Sequence, residues 1–307
     1  MYVACNVYNI FSINNYIDLK MYWLIALLNT MSKTLKSIMI KRLSDIVKTH
    51  HMLSNAQMKA RRKWFMISAL NLLVDQVHAV WDCEIKYVIF MLSLNIAEAF
   101  NHVLHTKLLH TLRIRKTSNY IVKWNHSFLK NRESLLMFNE QISMMQWVNA
   151  DILQRFLISL ILFLFFNASL IEKCKALEIK IEVLDFVIDI NILIYDKITE
   201  SICEMLSWAY NVCAKWAWIH DATFASEKYE LTHFTHKSKR FDMTVNLHIE
   251  NSIIKLKSNV WVLKVQLNMK LQWNSHLRQI EADHVIKMLM LSQLEIFIWR
   301  TTFAKAR

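Results

Sequence analysis

A β-sheet covered by helices, an α/β domain, is what this sequence predicts, and three observations lead there. Helix-period and strand-like segments alternate along the chain. Apolar residues fill 54% of 307 positions, enough for a sizeable core, while a charged fraction of 20% excludes a disordered chain. No internal repeat, low-complexity tract or linker divides it.

The elements follow in chain order. Apolar residues recur at helical spacing through 33–50 (KTLKSIMIKRLSDIVKTH) and 67–81 (ISALNLLVDQVHAVW), and a further helix is expected at 106–114. Strand-like runs cover 87–96, 179–187 and 190–195; the last two flank Asp189, as a hairpin with an acidic tip would. Between them, 157–170 reads as a buried helix. Its most apolar stretch, FLISLILFLFF, is shorter than the roughly 20 residues a membrane span needs. An amphipathic helix is expected at 200–219, then strands at 229–235 and 261–267.

The chain has no Gly and no Pro. Gly supplies positive φ in turns and Pro stops helices, so turns must be made from Asn, Asp, Ser and Lys, with strain wherever a left-handed residue is required. Three origins are compatible with this: an all-helical design, which the β-branched runs oppose; deliberate replacement; or decay of a gene by transitions that turn Gly codons into Asp, Glu, Asn, Lys, Ser or Arg and Pro codons into Leu, Ser or Phe.

The net charge of +12 suits a polyanion partner, nucleic acid or an anionic surface, or else reflects drift toward Lys codons. Five widely spaced cysteines form neither a disulfide framework nor a zinc pattern, and the histidines show no ligand spacing. No basic region precedes an apolar run at the N-terminus, so no signal peptide is read and an intracellular location is expected, without a membrane span.

Four segments carry the most specific signal: LSLNIAEAFNHVLHTKLL from Leu92, NADILQRFLISLILFLFFNASL from Asn149, FVIDINILIY from Phe186, and ATFASEKYELTHFT from Ala222 with WVLKVQLNMKLQW behind it. Upstream stand YWLIALLNTMSK and QMKARRKWFM. In order and spacing they resemble the reverse transcriptases of non-LTR (LINE-like) retrotransposons of the fungal type, in a degenerate copy, from about Ile17 to Arg307.

The first segment resembles the family's L-D-I-x-G-A-F-D-N-V; Ala99, Phe100 and Val103 fit, while Asn95 stands at the metal-binding Asp, Glu98 at the Gly and Asn101 at the second Asp. The second resembles G-I-P-Q-G-S-P-L-S-P followed by ILFLFYNADL. Gln154 and Ser159 are kept, Asp151 and Arg155 replace glycines, Leu153, Leu157 and Leu160 replace prolines, and Phe156 replaces Ser. The third resembles F-V-D-D-V-N-I-L-A-Y: Asp189 survives, and Ile188 stands for the first Asp, a change no single transition produces. The fourth puts Lys228 at the family's palm lysine, and in the V-L-G-V-Q-L-D that follows Lys264 replaces Gly and Asn268 replaces Asp. The upstream pair resembles Y-R-P-I-A-L-L-N-T-M-G-K and Q-M-G-A-R-R-K-R-S-T, with Arg61 near the position that contacts the nucleotide triphosphate. Trp23, Leu24, Trp64, Phe65 and Met66 each differ from it by one transition.

The resemblance implies the fingers and palm of a right-hand polymerase, with an antiparallel palm sheet and a partial thumb: an N-terminal extension at 1–16, fingers and palm at 17–268, and a truncated start of the thumb at 269–307. It implies an RNA template, a DNA primer and Mg2+. Arg61 and Gln154 would bind nucleotide and template, and Asp189 with Lys228 would be what remains of the catalytic set. Two metals about 4 Å apart clamp the reacting oxygens in such chemistry, held largely through carboxylates and phosphates. Asn95 offers only a carbonyl and Ile188 nothing, which leaves Asp189, with the Ile96 carbonyl, as the metal ligand. Losing two carboxylates at about 4 kcal/mol or more each removes on the order of five decades of rate. The expectation is an RNA-directed DNA polymerase that is catalytically inactive. The alternatives are a basic RNA- or DNA-binding remnant using Arg61, Arg62 and Lys63, or a pseudogene product without function. Without the resemblance, Lys228 and Gln154 are ordinary surface residues, Arg61–Lys63 a solvated cluster and Asp189 a turn residue.

Overall fold

The computed structural model describes residues 5–10, 23–27, 30–59, 65–83, 87–130, 132–138, 141–142, 146–148, 152, 157–177, 180–236, 241–250, 252–274 and 276–285, and the backbone alone at 5–33, 132–148 and 157. In chain order the elements are β1 (Cys5–Ile10), β2 (Trp23–Leu27), α1 (Thr30–Thr49), α2 (Met66–Trp81), β3 (Val88–Ala97), α3 (His105–Ile114), α4 (Asn119–Leu129), β4 (Arg132–Phe138), β5 (Gln141–Ile142), β6 (Gln146–Val148), α5 (Leu157–Lys175), β7 (Ile181–Phe186), β8 (Asp189–Asp196), α6 (Thr199–His220), β9 (Thr223–Phe224), β10 (Glu230–Phe234), β11 (Asn246–Ile249), β12 (Ser252–Lys257), β13 (Asn259–Val262) and β14 (Val265–Asn268).

The main sheet runs β11-β12-β10-β3-β8-β7, with β9 on the far end of β3. From β7 to β10 every pairing is antiparallel. The expected wholly antiparallel sheet is corrected at its edge: β12 joins β10 in parallel, so the sheet is mixed. The chain between β10 and β12 is long enough for a parallel return: it forms β11 first, and β12 folds back on β11 as a hairpin.

Both faces of β3 are covered, which is why Val88–Leu92 are all buried and read as an unbroken apolar run. Phe90, Leu92, Leu94 and Ile96 point into the core made by α1 and α3–α6. Ile89 and Met91 point the other way, with Leu193 of β8, into a second core under α2 and the β13–β14 hairpin. The apolar run of α5 is the middle of the first core: Phe163 and Phe165 are fully buried. Among the described residues no helix is long and apolar enough to cross a membrane.

The five expected helices are present, most with ends shifted by one to three residues and α5 longer by five, and α4 adds an unexpected one. The expected strand at 261–267 is instead a hairpin, β13 and β14, turning at Leu263 and Lys264. β1 lies within the segment read as an extension and pairs with β2 and β4.

Turns are made without Gly by ten residues at positive φ among those described: His51, Lys59, Glu98, Lys116, Val187, Asp221, Glu250, Leu263, Lys264 and Leu271. Lys and Asp were the expected types; Glu, Leu, His and Val were not, and a β-branched residue there is a genuine outlier. Glu98 and Lys264, two positions where the resemblance puts Gly, have φ of 43° and 65°. Lys59, opposite the Gly of Q-M-G-A-R-R-K, has φ of 70°. The fold still requires the left-handed conformation where the side chain no longer favours it.

Candidate functional site

Strand alternation builds the site. On β3, Ser93 and Asn95 continue the face of Ile89 and Met91 past the cover of α2; on β8, Asn191 and Asp189 continue the face of Leu193. The register sets Asn95 opposite Asp189 and Ser93 opposite Asn191. Asn95 Nδ2 donates to Asp189 Oδ1 at 2.6 Å, and Ser93 Oγ donates to Asn191 Oδ1 at 2.7 Å. Asp189 is the first residue of β8, while the turn itself is Val187–Ile188, where Val187 has φ of 71°. Ile188 is half-buried, its side chain packed against the helix-side core and its carbonyl accepting from the Ile96 N–H at 2.9 Å.

Lys228 arrives from the far end of β3. β9 pairs with Ile96 and Ala97, the Ala225 N–H donates to the Asn95 carbonyl at 2.9 Å, and a single 3-10 turn, Ser226–Lys228, then brings the lysine to the site. Lys59 approaches from the segment after α1, its Nζ 5.0 Å from the centroid of the Phe186 ring. These residues line one cleft of about 1160 Å3 with Trp261 and Lys264 of the β13–β14 hairpin. Burial raises the Asp189 pKa above the usual carboxylate value, against the opposing effects of the Asn95 hydrogen bond and the Lys59 and Lys228 charges.

Behind the hairpin lies a buried polar cluster. Asp185 Oδ2 accepts from Asn167 Nδ2 at 3.0 Å and Gln57 Nε2 at 3.3 Å, and Asn167 Nδ2 also reaches the Val187 carbonyl at 3.2 Å. The Met58 N–H donates to the Asp185 carbonyl at 2.7 Å and the Asp185 N–H to the Ala56 carbonyl at 2.9 Å, so the segment leading to Lys59 is tied to β7. Complete burial pushes the Asp185 carboxyl up to about 8.

The fold therefore brings together Asn95, Ile188, Asp189 and Lys228. Arg61 and Gln154 lie outside the described residues, as do Arg62 and Lys63. Lys59, Ser93 and Asn191 were missed as site residues. Ser93 and Asn191 are two positions from Asn95 and Asp189 on their strands, and period-two alternation alone would have placed them on the same face.

The donor set does not fit the Mg2+ that the resemblance implies. Its one carboxylate on the β3–β8 strand ends has Oδ1 occupied by the Asn95 N–H donor, two ammonium groups act on it, and the adjacent turn presents an alkyl chain. Mg2+ requires oxygen ligands in near-octahedral array. Among the described residues no group of three His, Cys, Asp or Glu side chains is placed to hold a metal.

No protein-family model and no curated protein matches the chain. Solved structures do. An apo telomerase of Candida tropicalis truncated from its C-terminal domain is similar over 82% of this chain and 52% of its own, at 12% identity and a TM-score of 0.56. The telomerase of Candida albicans in complex with a TWJ fragment of telomeric RNA is similar over 88% of this chain and 45% of its own, at 10% identity and a TM-score of 0.58. The chain thus spans about half the length of these structures. The mixed sheet and its helices have a reverse transcriptase-type fold.

Proposed function

We propose that the chain is a retrotransposon-derived reverse transcriptase domain, comprising fingers, palm and the start of a thumb, that no longer transfers nucleotides. The observation that carries this is the Asn95–Asp189 hydrogen bond at the place where the resemblance puts a pair of metal-binding aspartates. An amide donating to the remaining carboxylate satisfies it without a metal. Ile188 at the turn removes the other acidic position, and Lys59 and Lys228 supply the balancing charge. Among the described residues, the strand-end carboxylate left to serve a primer hydroxyl is the one already bonded to Asn95. Purified chain, incubated with a primed RNA template, deoxynucleotides and Mg2+ or Mn2+, is expected to give no extension. Metal-dependent extension by the purified chain would sink the proposal.

The net charge of +12 favours a second reading, a binder of RNA or DNA that does no chemistry. Binding to an RNA–DNA hybrid that weakens steeply with added salt supports it; salt-independent or absent binding removes it.

A further inference from the structure

The walls of the cleft point to a ligand class that nucleotidyl transfer does not use. Phe65, Phe100, Leu160, Val187, Ile188 and Trp261 all line it, and Phe65 and Trp261 remain 67% and 47% exposed. Contiguous apolar surface of this kind, concave and rimmed by charge, marks a binding site. Among the described lining residues the charges are Lys59, Lys228 and Lys264 on one side of the balance and Asp189, Glu227 and Glu230 on the other. Glu230 is already held by Lys257 at 2.7 Å, a lysine outside the lining, so only Asp189 and Glu227 remain against the three lysines. That leaves a small cationic surplus beside a greasy wall.

We propose that the cleft binds a lipophilic carboxylate, its head between Lys59 and Lys228 and its apolar body along Ile188, Phe100 and Trp261, with no metal. A single negative charge matches the surplus. A phosphate dianion or a polyanion exceeds that surplus and would meet Asp189 and Glu227 in the same lining. The volume of about 1160 Å3 accommodates a long acyl chain or a fused-ring acid. The inference goes beyond the proposed function and is independent of it, because primer extension and ligand binding are read separately.

The test is calorimetric titration of the full chain with oleate and with methyl oleate, below the micellar concentration and in EDTA. Oleate is expected to bind saturably at one site, and the ester at least about tenfold more weakly. Combining Lys59→Asn, which tolerates the left-handed backbone, with Lys228→Gln should weaken oleate at least about tenfold in a chain that still unfolds cooperatively. If that double variant unfolds, Trp261→Ser at the exposed mouth carries the same expectation. Equal affinity for acid and ester, unchanged affinity in the variants, or displacement of oleate by a single-stranded oligonucleotide would overturn the proposal.

Discussion

Asn95 and Asp189 face one another across adjacent strands, with the Asn95 amide nitrogen 2.6 Å from the Asp189 carboxylate. The contact is local and complete: the register fixes it, and it needs no third partner. Replacing the amide by a carboxylate, Asn95→Asp, turns attraction into like-charge repulsion. At an effective dielectric near 20 that repulsion is about 4 kcal/mol at 4 Å before solvent screening. The variant is expected to melt several degrees below the parent in EDTA at pH 8, and to recover in millimolar Mg2+ or Mn2+. The parent should show no metal-dependent shift. Thermal scans with and without metal check both; a variant as stable as the parent in EDTA would contradict the pairing.

The backbone makes a separate prediction. Lys59, Glu98 and Lys264 are exposed residues held at positive φ, where an L-residue costs about 1–2 kcal/mol and Gly does not. Gly loses more chain entropy on folding, which offsets part of the gain. Lys264→Gly and Glu98→Gly are each expected to raise stability by about 0.5–1 kcal/mol, nearly additively, since the two lie in separate turns. Urea unfolding midpoints read this directly. Val187 is a different case, because its side chain is buried and a Gly there would also forfeit core contacts.

Much of this architecture was legible because periodicity and local motif agree. The helices and central strands carry clean patterns, and Asn95, Ile188, Asp189 and Lys228, singled out by motif, line one cleft. The parts not legible depend on contacts made after folding. The parallel attachment of β12 to β10 has no local signature. Cys174 and Cys213 looked unrelated in sequence, yet α5 and α6 place their Sγ atoms 3.6 Å apart as buried free thiols. Asp185 reads as one more polar residue beside a turn. Its complete burial follows from the packing of α5 and the 56–58 segment around it, which no window of sequence reveals.

That buried carboxyl sets a pH dependence. Its folded pKa, about 8, lies above the unfolded value near 3.8. The folded state therefore holds a proton that the unfolded state has lost, and the stabilisation, full below about 4, disappears as pH rises through 8. Between pH 6.5 and 8 this carboxyl contributes a downward slope of at most about 1.4 kcal/mol per pH unit, the limit for one proton. Asp185→Asn keeps a neutral polar group in the cluster and should flatten that window. Denaturant unfolding of both proteins at pH 6.5, 7.25 and 8 tests it; an unchanged slope in the variant would assign the effect elsewhere.

On the acid side His233 acts in the opposite sense. It lies buried on β10, opposite Phe90, and among the described residues neither ring nitrogen has a hydrogen-bond partner. Burial lowers its pKa below the usual 6.5, so the neutral ring is favoured in the folded state while the unfolded chain takes up a proton. Stability present above about 6.5 is lost as pH falls toward the folded value. His220, also lowered by burial, adds to that loss. His233→Phe removes the titrating group and the two unpaired ring nitrogens together, and an unsatisfied buried polar atom costs about 1–3 kcal/mol. The variant is expected to be more stable than the parent at pH 7 and to gain further at pH 5, the remaining acid sensitivity coming from His220. Parallel unfolding curves at the two pH values decide it: a variant less stable at both would mean that the ring's packing against Phe90 outweighs its unmet hydrogen bonds.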